Sequence, residues 1–136
     1  MIAALIIAAV LGAMAAAQLV SFRGFVRALD GYGLGNTASP LLAAVIIAVE
    51  GVAALLLSIG WLRDAKGLAI AGAASAFAAA AVWSVLAAQA YVRKLPIRNC
   101  GCFGIYLPQR LSAWILAQDA LFLMSTSYVL IKSFAR

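Results

Sequence analysis

The stretch PLLAAVIIAVEGVAALLLSIGW, residues 40–61, decides the fold: its 22 residues carry one charge, Glu50. The hydrocarbon core of a bilayer is roughly 30 Å thick, and a helix crosses it with about 20 apolar residues. Ser39-Pro40 is a helix start, a capping side chain followed by a proline that lacks the N–H a first turn would orphan. Working outward, three more runs of the same kind appear. Residues 1–22 hold no charge and a single amide, Gln18; residues 67–92 hold no charge; residues 111–131 hold only Asp119. The four runs occupy about two-thirds of the 136 residues. Composition agrees, with 67% hydrophobic and 10% charged residues and a mean hydropathy of +1.09. A soluble domain carries about 25% charged residues, so a water-soluble globule is excluded. The expectation is an all-α, four-helix transmembrane bundle, one integral membrane domain over residues 1–136, surrounded by lipid and not by nucleic acid. The chain has no histidine, which excludes catalytic triads, histidine metal sites and imidazole proton relays.

The first run has Ala15-Ala16-Ala17 before Gln18, which resembles a signal cleavage site, but no Lys or Arg precedes it as a signal's n-region requires. It reads as a span. In the connection Arg23 to Ser39, Phe22, Phe25, Val26 and Leu29 share a face against Arg23, Arg27 and Asp30. That pattern predicts a short interfacial helix, ended by Gly31, Gly33 and Gly35. Leu62 to Lys66 is a tight turn and makes the second and third spans antiparallel. Runs of small residues, Ala13 to Ala17 and Ala71 to Ala81, let helices approach closely where lipid offers no drive to associate. Trp61, Tyr91, Trp114 and Tyr128 sit near span ends, as interfacial anchors do.

The last connection, Arg93 to Arg110, holds both cysteines and four of the ten basic residues. Its core is Asn99-Cys100-Gly101-Cys102-Phe103-Gly104. Two thiols one residue apart form a strained small-ring disulfide, which is easily reduced and so behaves as an oxidising couple. Arg98, Lys94 and Arg93 upstream would favour the reactive thiolate. The alternatives are buried inert cysteines or two-coordinate binding of a soft ion such as mercury or copper(I). A zinc or iron–sulfur site usually needs four soft ligands, and two thiols do not supply them, so no resident metal is expected. Glu50 lies near the bilayer midplane, where a carboxylate is a functional candidate by default. Its structural alternative is an interhelical hydrogen bond to Gln18, Gln89 or Gln118. Asp119 is expected to pair with Arg110 or Arg23 and fix the helices.

These residues, in this order, resemble the MauE branch of the DoxX-like membrane proteins, named for methylamine utilisation. The resemblance runs from Phe22-Arg23-Gly24-Phe25 through Tyr32, Pro40 and Glu50-Gly51 to Cys100-Gly101-Cys102-Phe103-Gly104 and Ser112 to Asp119. The family often has a lysine after the first helix, where this chain has Arg23 or Arg27. The resemblance implies a four-helix membrane bundle acting in thiol and disulfide redox chemistry, with maturation of a disulfide-rich periplasmic partner.

With four spans both termini share a side with Arg63, Lys66, Lys132 and Arg136, and six basic residues lie on the other. The count leans toward a cytoplasmic cysteine side, whereas disulfide chemistry and the resemblance place it in the periplasm of a bacterial inner membrane. The functional expectation is a thiol–disulfide relay. In it Cys100 and Cys102 carry the chemistry, with Glu50 as a third catalytic candidate and Asn99, Gly101, Phe103, Gly104, Arg98 and Asp119 in support. Electrons would pass between a periplasmic or membrane redox protein and an acceptor such as a quinone. The rival readings are a non-catalytic subunit or assembly factor of a membrane redox complex, and a soft-metal carrier.

Overall fold

In a computed structural model, which describes residues 1–34 and 39–136, the described residues form five helices and no strand. They are α1 (Ile2–Val20), α2 (Phe22–Asp30), α3 (Ser39–Leu62), α4 (Lys66–Val92) and α5 (Ala113–Ala135). α1, α3, α4 and α5 are each long and apolar enough to cross a bilayer. The chain is a multi-pass membrane protein in a lipid environment.

The boundaries move by a few residues from those read in the sequence, for local reasons. α1 stops at Val20 because Ser21 turns the chain, its hydroxyl and its N–H both donating to the Ala17 carbonyl at 2.6 and 3.1 Å. Phe22 therefore opens α2. The last span starts at Ala113 because Leu111 is still held by the loop, its N–H donating to Ile97 at 3.2 Å, and it runs on through Lys132 to Ala135. Ser39 opens α3 with Pro40 in the first turn. Gly35, expected to help end the short helix, lies outside the described residues.

Each long helix turns a seam of residues spaced three and four apart to its neighbours. On α1 the seam is Ala4, Ile7, Leu11, Met14 and Gln18; on α3 it is Ala43, Ile46, Glu50, Ala53, Leu57 and Gly60; on α4 it includes Ala69, Gly72, Ala76, Ala79 and Trp83. Glycine sets the spacing of α3 and α4. A methyl group at Gly60 would collide with the backbone of Ala69, and one at Gly72 would lie 2.5 Å from the Leu57 nitrogen. α3 is the centre of the packing, against α1 on one side and α4 on the other, and α5 packs on α4. α1 and α5 touch only lightly. The bundle is thus an arc of four helices with a seam left open between the first and last.

α2 has the amphipathic face read in the sequence, and the apolar side meets protein. Phe25 and Leu29 are fully buried, Phe22 and Val26 pack on the core, and Arg23 and Arg27 stay exposed. The Phe25 ring lies 6.1 Å from that of Trp83 on α4. α2 therefore stoppers one end of the bundle, the end at which the cysteine connection lies.

Candidate functional site

The connection from Arg93 to Ser112 is irregular, and it is held by hydrogen bonds at nearly every step. Cys100 N–H donates to Gln109 O at 2.9 Å, and Gly104 N–H donates to Gly101 O at 3.0 Å, closing a four-residue turn around Cys102 and Phe103. Asn99 brackets that turn: its carbonyl oxygen accepts from Gly101 N–H at 3.0 Å and its amide donates to Gly104 O at 2.9 Å. This local side-chain capping is what asparagine does in turns. Gly101 and Gly104 both have positive φ, 84° and 60°, a region that L side chains adopt at a cost. Space excludes a side chain at Gly104 as well, because a Cβ there would strike the Ser21 hydroxyl and lie 2.8 Å from the Ala17 carbonyl oxygen. The two glycines of the motif are thus explained by backbone geometry.

Three side chains on or just beyond α1 and α2 tie the turn to the bundle. Tyr32, just after α2, donates its hydroxyl to Cys100 O at 2.8 Å; Gln18 on α1 donates to Cys102 O at 2.8 Å; Ser21 accepts from Ile105 N–H at 3.3 Å. Tyr32 and Gln18 are fully buried. Burial, then the neighbouring thiols, pushes the Tyr32 phenol above its ordinary range, so it stays a neutral donor.

Both cysteines are free, and their Sγ atoms lie 3.2 Å apart in hydrogen-bond contact. Cys100 is 2% exposed and Cys102 half-buried. The contact splits the pair. Hydrogen bonding from Cys102 draws the Cys100 thiol below its ordinary range against the opposing effect of burial. The same contact, then burial, then the negative charges of Cys100, Asp119 and Glu50, hold the Cys102 thiol well above it. The electrostatics differ from the sequence expectation in one respect. The charged side chains that act on the thiols are the carboxylates Asp119 and Glu50, whereas Arg93, Lys94 and Arg98 are exposed on the outer surface. Arg93 is engaged with Gln89 at 3.1 Å, and Arg98 lines a groove shared with Arg27.

Glu50 is fully buried, with Oε1 accepting from Trp83 Nε1 at 2.6 Å. Of the three glutamines expected near it, Gln18 approaches the carboxyl, while Gln89 donates to Tyr32 O at 3.2 Å. Gln18 Oε1 and Glu50 Oε2 are both buried without a hydrogen-bond partner among the described residues. The line Trp83, Glu50, Gln18, Cys102 therefore links the middle of the bundle to the cysteine turn. The ion pair expected between Asp119 and Arg110 or Arg23 is not formed; the only salt bridge among the described residues joins Arg136 to Asp64. Arg23 and Arg110 are exposed, whereas Asp119 is half-buried and close enough for its charge to act on the thiols.

Sequence reading missed Trp83 and Ser21. Trp83 was legible as an aromatic residue with an N–H, in register with the small inward residues Ala76 and Ala79. Ser21 had no such signal, because its role depends on where the turn lands. Among the described residues no group of three or more histidine, cysteine or acidic side chains comes together as a metal site.

Residues 1–132 match the family described as Methylamine utilisation protein MauE. No curated protein and no solved structure matches the chain.

Proposed function

The chain belongs to the MauE family, and from that premise we propose that it is a membrane-embedded thiol–disulfide redox protein that exchanges a disulfide with a partner. The observation that carries this reading is the pair of free thiols in 3.2 Å contact on a turn clamped by Asn99, Tyr32 and Gln18. The contact draws the Cys100 thiol down and holds the Cys102 thiol up, so one sulfur is the readier thiolate and the other its donor, which is the starting state for thiol–disulfide exchange. In the oxidising direction, a partner thiolate attacks one sulfur of the Cys100–Cys102 disulfide. The S–S bond breaks, the leaving sulfur departs as a thiolate and takes up a proton, and a mixed disulfide forms. The partner's second thiolate then resolves it, so that the partner gains a disulfide and Cys100 and Cys102 become a dithiol. Two electrons move and no other reactant is needed.

Resetting the disulfide needs a two-electron acceptor, and a membrane quinone is the one this reading takes. Gln18, which donates to Cys102 O, and Glu50 each keep one buried oxygen without a hydrogen-bond partner among the described residues, and such acceptors suit the hydroxyls of a reduced quinone. The reading places the turn on the periplasmic side of a bacterial inner membrane, where disulfides persist.

Single Cys100→Ser and Cys102→Ser variants test the proposal. One of them should accumulate a mixed disulfide with its partner in membranes, released by reductant. Intact-mass alkylation of the wild-type chain should add two labels after reduction and none after oxidation. A folded protein whose thiols are labelled in neither state would overturn the redox reading.

A further inference from the structure

The open seam between α1 and α5 widens, at the end of the bundle away from the cysteines, into a cavity of about 660 Å³. Ile2 and Ala4 from α1 and Val129 from α5 give it apolar lining, and Trp61, Tyr128, Lys132 and Arg136 line it as well. The Arg136 guanidinium stacks 4.1 Å from the centre of the Trp61 ring and pairs with Asp64. The Lys132 ammonium lies 5.7 Å from the Tyr128 ring centre and has no carboxylate partner among the described residues. Trp61 lines this cavity, and its Nε1–H is buried without an acceptor among the described residues. A buried donor with no acceptor costs stability, a cost that a ligand oxygen brought to it by a small shift of the lining side chains would relieve.

We propose that this cavity binds the headgroup of an anionic phospholipid, its phosphate held by Lys132, Arg136 and the Trp61 N–H and its acyl chains lying in the groove between α1 and α5. Charge and shape both select this occupant. Two cations and an N–H donor match phosphate oxygens, and apolar walls that open sideways match hydrocarbon. The volume lies within the range of small-molecule sites, about 300–1,000 Å³, enough for a headgroup and glycerol, so the tails leave through the seam. The face carries Arg63, Lys66, Lys132 and Arg136 against Asp64 alone, which adds long-range attraction for an anionic leaflet. At 1.5 Å per residue α1 is roughly 28 Å long, so a ligand here is remote from the thiols. The inference does not depend on the redox reading.

Native mass spectrometry and thermal melting of the detergent-purified protein test it, with phosphatidylglycerol, phosphatidylcholine and glycerol phosphate as probes. The expected result is a one-to-one phosphatidylglycerol adduct that survives transfer and a raised melting midpoint, with neither effect from the other two. Lys132→Ala, at an exposed residue, should weaken phosphatidylglycerol retention by roughly tenfold without changing helix content. Trp61→Phe should weaken it too; in an empty site, deleting the unpartnered N–H would leave retention unchanged. Equal binding of phosphatidylcholine, or an unaltered Lys132→Ala variant, would overturn the proposal. Glycerol phosphate binding as well as the lipid would make this a free-phosphate site and overturn the lipid assignment.

Discussion

At Gly104 the backbone has φ 60° and no room for a methyl group beside the Ser21 hydroxyl and the Ala17 carbonyl. Gly104→Ala should therefore lower stability by about 1–3 kcal/mol, the scale of a strained backbone residue, and loosen the turn around Cys102, both visible as a lower melting midpoint and faster alkylation. The thiols themselves should titrate apart. Free cysteine ionises near pH 8.5; with Cys100 drawn down by its hydrogen bond to Cys102 and Cys102 pushed up by the same contact and burial, thiolate absorbance should rise in two separated steps. As a coupled pair they lose the first proton below the ordinary range and the second well above it. The sign for stability follows. Above the ordinary thiol range the unfolded chain ionises both thiols while the folded chain resists the second, so the dithiol form should lose stability as pH climbs there. A single two-proton step at the ordinary value would contradict the split between the two thiols. Glu50 offers a sharper distinction, because Glu50→Gln keeps the hydrogen bond from Trp83 and can donate to Gln18 but cannot ionise. If the carboxyl exchanges a proton during thiol oxidation, that variant should fold and lose most activity. Glu50→Ala should in addition cost about 1–2 kcal/mol, the scale of an interhelical hydrogen bond. An active Glu50→Gln protein would assign the residue to structure alone.

Among the elements, α2 carries the clearest consequence. Its buried Phe25 touches Trp83 on α4, and its ring lies 3.4 Å from where a Cβ at Gly101 would be, so the short helix is a lid over the cysteine turn. Phe25→Ala should cost about 3–5 kcal/mol by the usual scale of buried aromatic truncation, and the alkylation rate of Cys100, 2% exposed in the intact fold, should rise with it. If labelling of Cys100 is unchanged in a destabilised Phe25→Ala protein, α2 does not shield the turn. The amphipathic pattern of α2 was legible in Phe22, Phe25, Val26 and Leu29, but the partner of that face was not: periodicity says which side of a helix is apolar, and lipid and protein are equally acceptable to it. The seams of α1, α3 and α4 were legible in the same sense. In helices apolar all round, only the small and polar residues mark the inward side, and Gln18, Glu50 and Trp83 fall on it.

For the whole molecule, the sidedness of the cysteine end is an expected outcome with a direct measurement. An impermeant thiol reagent applied to intact, reduced cells should label the chain if the turn faces the periplasm, and labelling only after the membrane is opened would favour the charge count instead. Hydropathy by itself determined the four spans, because a bilayer admits only helices and closed barrels, and uninterrupted apolar runs of about 20 residues fit the helix and not the short alternating strands of a barrel. The Cys100-Gly101-Cys102 motif and the absence of histidine likewise bounded the chemistry before any fold was known. What only the tertiary structure decided is which groups meet. Gln18 and Cys102 are joined across 84 positions of sequence, Tyr32 and Cys100 across 68, and Trp83 and Glu50 across 33. No local pattern encodes such pairings. Asp119 shows the difference most plainly: its charge invited an arginine partner, but in the packed bundle it is half-buried with its charge acting on the thiols while Arg23 and Arg110 stay exposed. Spans are fixed by the solvent, residue by residue, whereas a polar network inside them depends on helix rotation and depth, which only the packed bundle sets.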